Sequence, residues 1–213
     1  MTPSLMRVYL IRHGHTEWNN EGRAQGHKDV EIDKIGRGQA RITAEFFDRR
    51  VVHRIISSDL TRCRQTAQPT ADLTELGLEL TPALRERSFG KLEGMHYTVL
   101  RAFFDGEVRD KGIKRWDARP DGGESLQDTW NRSLPVIEQV KATSEDTVIF
   151  SHGGTIALIL AQFMNATIET AMSFKFDNCS ITELKRLPTG IWQLVRYNDT
   201  RHLEVLHEEA PVD

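Results

Sequence analysis

Cysteine is scarce. Cys63 and Cys179 are the only two among 213 residues, too few for a disulfide framework. They read as buried thiols of a reducing compartment. No charge of one sign dominates: 28 Lys and Arg face 31 Asp and Glu, for a net charge of −3. That balance excludes broad electrostatic binding to nucleic acid or to an anionic membrane, while a local basic pocket remains allowed. No apolar run approaches the roughly 20 residues of a membrane span. The first apolar run starts almost at once, which leaves no room for a signal peptide. A cytoplasmic location is therefore expected. A phosphate loop of the form G-x-x-x-x-G-K is absent, which argues against a nucleotide-binding module of that type. His27, His53, His202 and His207 show no metal-ligand spacing, and no carboxylate cluster accompanies them. Neither a metal nor a cofactor is expected.

The chain has enough bulk for one sizeable domain, with 38% apolar and 28% charged residues. It carries no repeat, low-complexity tract or linker. Apolar or β-branched runs at 7–11, 54–58, 147–151, 178–185 and 191–197 read as strands, with a weaker one at 78–81. Helical patterns lie near 35–50, 60–76, 124–141 and 153–164. This alternation predicts an α/β fold. The expected form is a three-layer α/β/α sandwich around a mostly parallel mixed sheet of about six strands. Asp33 suits a helix N-cap. Pro69 falls inside the second helical pattern and predicts a kink or an irregular stretch. Leu187-Pro188-Thr189-Gly190 predicts a hairpin that makes the last two strands antiparallel. Residues 208–213 read as a frayed tail.

The most informative stretch is Arg12-His13-Gly14-His15-Thr16, followed by Asn19. It sits just past the carboxyl end of the strand Val8-Tyr9-Leu10-Ile11, where ligands bind in open α/β sheets. An arginine can hold phosphate oxygens in a fork. A glycine lets backbone approach an anion, and an imidazole can attack phosphorus and carry the group. That attack needs a neutral ring with one nitrogen free, so the other must donate to a fixed acceptor. Arg62 follows the strand at 54–58 and His152 the strand at 147–151, so both converge on the same sheet edge. Gly153-Gly154 opens a helix whose N-terminus favours anions.

Residues 7–19 resemble the start of the histidine phosphatase superfamily, whose hallmark is R-H-G-x-T-x-x-N. Further segments resemble the family in order. They are Gln25-Gly26 with Asp29, Gly36 and Gln39-Ala40; Ser57-Ser58-Asp59-Leu60-Thr61-Arg62 running to Gln65-Thr66-Ala67; Leu84-Arg85-Glu86 running to Gly90 and Glu93-Gly94; and Ser151-His152-Gly153-Gly154. A weaker likeness continues through Asn178-Cys179-Ser180-Ile181 to Arg196-Tyr197-Asn198.

The resemblance implies a phosphomonoesterase acting on a small organic phosphate through a phosphohistidine, with no metal because arginines supply the positive charge. It makes His13 the nucleophile and Glu86 the acid/base. Arg12, Arg62 and His152 complete the catalytic set. Asn19, Thr16, Gln25, Gly26 and Gly153 are implied at the phosphate or substrate. Read without the family, Glu86 between Arg85 and Arg87 would be an exposed ion-pair partner; to serve as an acid near neutral pH it needs a raised pKa. Arg64 and Glu93 are expected in supporting roles, Thr66 packed within its helix, and His15 exposed at a variable motif position.

The alternative within the family is a phosphoglycerate mutase. Mutases typically carry a paired Arg and a Pro-Pro stretch that grip the substrate carboxylate. Here residues 115–120 read Arg-Trp-Asp-Ala-Arg-Pro, which favours the phosphatase branch. A non-catalytic phosphate-binding protein is the third reading. The segment 95–120 is rich in aromatic and basic residues and matches the core rhythm poorly. The family places an insertion there over the active site, which makes it a candidate substrate lid on a single domain of 1–213. The expected partner is a small-molecule phosphate ester, with no nucleic acid and no membrane, on a monomer or homodimer.

Overall fold

The apolar run after Arg7 becomes the strand β1 (Arg7–Arg12), deep inside the sheet of a computed structural model that describes residues 5–208. β1 lies between parallel β4 (Thr147–Ser151) and antiparallel β5 (Ile181–Arg186). Outward from β4 come β2 (Arg54–Ser58) and β3 (Leu78–Thr81), both parallel. Outward from β5 comes antiparallel β6 (Trp192–Asp199). The order is β3-β2-β4-β1-β5-β6, the expected mixed, mostly parallel sheet.

Side-chain alternation sends each central strand into two cores. Val8, Leu10 and Ile149 face one core, which is closed by Ile137 and Val140 of α5 (Leu126–Lys141) and by Ile156, Leu160 and Phe163 of α6 (Gly153–Phe163). Tyr9, Ile11, Val148 and Phe150 face the other, closed by Phe47 just after α2 (Lys34–Glu45) and by Ala67 and Ala71 of α3 (Thr61–Thr74). Helices thus cover both faces, as the three-layer expectation required. Among the described residues no helix is long and apolar enough to cross a membrane.

Two local readings need correction. α3 runs from Thr61 to Thr74 without interruption, so of the two forms expected at Pro69 the irregular stretch does not occur, while a kink is compatible with the unbroken helix. Buried Thr66, Ala67, Thr70 and Ala71 anchor the helix on both sides of the proline, and tertiary burial overrides the lost backbone bond. The strand expected from residue 178 begins at Ile181. Cys179 stands at φ +54°, outside strand geometry, and its N–H donates to the Arg12 carbonyl at 3.0 Å. The tail residues 209–213 lie outside the described residues.

The parallel register decides where the site lies. Arg12 pairs with Ser151 and Ser57 with Phe150. The carboxyl ends of β1, β2 and β4 therefore lie side by side. Whatever follows them (His13, Asp59 to Arg62, and His152) is gathered at one edge.

Candidate active site

β1 ends at Arg12. The N–H of His13 still donates to the Ser151 carbonyl at 2.9 Å, which ties the loop to β4. Gly14 passes so close to the start of α2 that an added Cβ would sit 2.8 Å from the Gly36 carbonyl oxygen. Its N–H donates to Thr66 Oγ1 at 2.8 Å, and Thr66 Oγ1 donates to the Arg62 carbonyl at 2.6 Å. Asp33 caps α2 as expected, accepting from the Gly36 N–H. It also holds His15, whose Nδ1 lies 2.5 Å from Asp33 Oδ2. His15 is therefore not the exposed residue that its motif position suggested. Its backbone N–H is taken by Gln39 Oε1.

His13 is buried, and its Nδ1 lies 2.8 Å from the Gly14 carbonyl. A carbonyl only accepts, so Nδ1 carries the proton and Nε2 keeps the lone pair. Burial first, then the Arg62 and Arg12 charges, push the His13 pKa well below 6.5. The ring is neutral at physiological pH, the form that a nucleophile needs.

Arg12 donates one guanidinium N–H to the Phe176 carbonyl at 2.6 Å. Its Nε is buried without a protein partner among the described residues. Arg62 is fully buried. It donates from Nη1 to the Lys28 carbonyl, from Nη2 to the Gly26 carbonyl, and from Nε to His152 Nδ1. Burial lowers its pKa, and Cys63, Glu86 and Asp29 oppose that shift. His152 is fully buried and its Nε2 faces Ser58 Oγ at 2.9 Å.

Glu86 projects from the stretch after the 3-10 turn Pro82–Leu84. Its Oε2 accepts from the Gly154 N–H at 3.0 Å, and Oε1 from the Arg87 N–H at 2.9 Å and Thr155 Oγ1 at 3.3 Å. The first turn of α6 thus orients the carboxylate that faces the cavity.

These groups line one cavity of about 260 Å³. Arg12, His13, Asn19, Gln25, Gly26, Arg62, Glu86 and Gly153 all reach its wall. Thr16 and His152 do not. Thr16 caps the short helix α1 (Glu17–Asn20) and accepts from Gln25 Nε2 at 2.8 Å. His152 stands behind Arg62. Glu93 takes a structural role, accepting from the His27 and Phe89 N–H groups. Arg64 is exposed and makes no side-chain hydrogen bond or ion pair among the described residues.

Sequence reasoning missed three lining residues, Arg87, Phe89 and Leu126, while Gly154, expected at an anion-favouring helix start, lines the cavity as well. Arg87 read only as a charged neighbour of Glu86. Its guanidinium in fact lies 4.2 Å from the Phe104 ring centroid and 5.0 Å from that of Phe89. Burial lowers its pKa to about 10, so it stays charged at neutral pH. The proximity of arginine to phenylalanine in the chain is a weak signal, and Phe104 arrives only through folding. Tyr97, at the start of α4 (Tyr97–Lys111), also lines the cavity.

Known proteins share both sequence and shape with this chain. A glucosyl-3-phosphoglycerate phosphatase of Mycolicibacterium vanbaalenii is 32% identical over 173 residues, spanning 76% of each chain. A phosphoglycerate mutase-like protein 4 of Arabidopsis thaliana is 30% identical over 207 residues, covering 92% of this chain and 86% of its own. The solved structure of a mycobacterial glucosyl-3-phosphoglycerate phosphatase complexed with VO3 superposes with a TM-score of 0.80 at 29% identity, over 92% of this chain and 100% of that one. The profile of the histidine phosphatase superfamily, branch 1, matches residues 8–200. The chain belongs to that superfamily and is one of its enzymes.

Proposed function

We propose that this enzyme hydrolyses a small organic phosphomonoester through a phosphohistidine at His13, without a metal. The observation that carries this reading is the bond from His13 Nδ1–H to the Gly14 carbonyl. It leaves Nε2 as the free nucleophile on a cavity that Arg12 and Arg62 also line. The unpartnered Arg12 Nε and the start of α6 supply further donors for phosphate oxygens.

In the first half-reaction, Nε2 bonds to phosphorus as the ester P–O bond breaks. The leaving oxygen takes a proton from the Glu86 carboxyl. In the second, the Glu86 carboxylate takes a proton from water, whose oxygen attacks phosphorus. The N–P bond then breaks, phosphate leaves, and Glu86 is protonated again. Two arginines stabilise charge on the transferring group throughout. Asn19, Gln25, Gly26 and Gly153 shape the wall around it. Thr16 supports Gln25, and His152 supports Arg62.

We further propose residues 95–120 as a substrate lid on a single domain. Two observations support it: Tyr97 lines the cavity, and Leu100, Phe104 and Ala118 form a small core of their own with Ala24. Two free, buried thiols at Cys63 and Cys179 suit a cytoplasmic setting.

The test is phosphate release from a panel of phosphomonoesters in excess chelator, comparing the wild type with His13→Ala. Release by the wild type alone is the expected outcome. Near-normal turnover by His13→Ala would sink the reading.

A further inference from the structure

Glu86 is braced from behind by two side chains. Its backbone carbonyl accepts from His27 Nε2 and from Arg132 Nη2, each at 2.8 Å. A carbonyl only accepts, so His27 Nε2 carries a proton. His27 comes from the loop after α1 and Arg132 from α5. Glu124 joins them. It accepts from Arg132 Nε at 2.8 Å and from the Ser88 N–H at 3.0 Å, and lies 3.7 Å from His27 Nε2. The His27 N–H is itself held by Glu93 Oε1 at 2.9 Å.

The neighbours of His27 hold the other half of the site. The Gly26 and Lys28 carbonyls accept from Arg62 Nη2 and Nη1 at 2.8 and 2.9 Å. Asp29 then accepts from the N–H and the hydroxyl of Thr61, both at 2.7 Å, fastening the loop to the start of the helix that carries Arg62. One short stretch therefore grips Arg62 through its main chain and Glu86 through an imidazole. The stretch His152–Thr155 also bonds to both, but it meets Glu86 at the carboxylate, whereas His27 holds the main chain that carries it.

We propose that His27 is a positioning residue. It sets the Glu86 carboxylate at a fixed place relative to the phosphate grip of Arg62. The proposal rests on the reading of Glu86 as the acid/base. The physical basis is the steep dependence of proton transfer on geometry, in which a shift of about 1 Å costs ~10²-fold in rate. What the imidazole contributes is a donor at the right reach. Glutamine can supply the same donor and phenylalanine cannot.

The experiment compares wild type, His27→Phe, His27→Gln and Glu86→Gln. Turnover is measured on glycerol phosphate, a poor leaving group, and on p-nitrophenyl phosphate, a good one. Inhibition by inorganic phosphate reports the grip of Arg62. The expected result is that His27→Phe lowers turnover of glycerol phosphate by about 10- to 100-fold and that of the aryl ester far less. Phosphate inhibition should be unchanged, and His27→Gln should restore most of the loss. Equal loss on both esters, no loss on either, or failure of glutamine to rescue would overturn the proposal. Glu86→Gln separates the two readings. If it shows the selective loss and His27→Phe does not, only the positioning role falls. If it lacks the selective loss, the acid/base role falls and the positioning role with it.

Discussion

Arg62 Nε donates a hydrogen bond of 3.1 Å to His152 Nδ1. A guanidinium can only donate, so His152 Nδ1 holds a lone pair and Nε2 holds the proton. That proton is directed at Ser58 Oγ. Both ring nitrogens are engaged, and His152 does not line the cavity. This arrangement predicts that His152 acts through Arg62. Arg62→Ala should lower kcat/KM by ~10²–10³, by analogy with removal of an oxyanion donor. His152→Ala should lower it less, and the double variant should be no worse than Arg62→Ala alone. Fully additive losses would mean that His152 meets the phosphate directly.

Stability should fall between neutral pH and mild acid. His13 and His152 are buried, and their pKa values are pushed well below 6.5, first by burial and then by Arg62. Below pH 6.5 the unfolded chain binds protons at these rings and the folded chain does not. Stability is therefore full above 6.5 and declines as pH drops below it. Each ring contributes a slope of up to about 1.4 kcal/mol per pH unit. Denaturant titrations at pH 7.5 and 5.5 measure the change. A His152→Gln variant should show a shallower decline, and an unchanged slope would contradict the assignment.

Glu86→Gln keeps the shape of the side chain and removes its proton. Turnover of alkyl phosphates should fall by ~10²–10⁴. Aryl esters with good leaving groups should lose less in the first half-reaction. Steady-state rates on both ester types, with burst kinetics on the aryl ester, decide the matter. Identical losses would remove Glu86 from the acid role.

Gly14→Ala should disable the enzyme by sterics alone. The new Cβ would press on the Gly36 backbone, with its oxygen at 2.8 Å and Cα at 3.1 Å. Backbone cannot rotate away as a side chain can, so overpacking of about 1–3 kcal/mol is expected. The displaced Gly14 carbonyl would also release His13 Nδ1 and with it the preference for a free Nε2. Thermal unfolding should register the first effect and phosphohistidine yield the second. Wild-type values for both would refute the close approach.

Much of the site was legible in the chain. Strand period and the polar residues that end each run placed Arg12, His13 and Arg62 at one sheet edge, and the motif around Glu86 marked it. Eight of the ten residues named at the outset line one cavity. Arg87 and His27 escaped notice because nothing local distinguishes them from solvated charges. Their meaning comes from Phe104 and from the Glu86 carbonyl. His15 was misread for the same reason, since Asp33, 18 positions on, receives its ring.

The sequence by itself determined the alternation of strand and helix, the buried faces and the reactive side chains at the strand ends. These depend on periodicity and on neighbours in the chain. Tertiary structure alone decided which nitrogen of His13, His27 and His152 carries the proton, which side chains line the cavity and which stand behind. Those outcomes hang on partners far apart in the chain, 90 residues for Arg62 and His152 and 59 for His27 and Glu86. A hydrogen bond has no existence until folding brings donor and acceptor within about 3 Å.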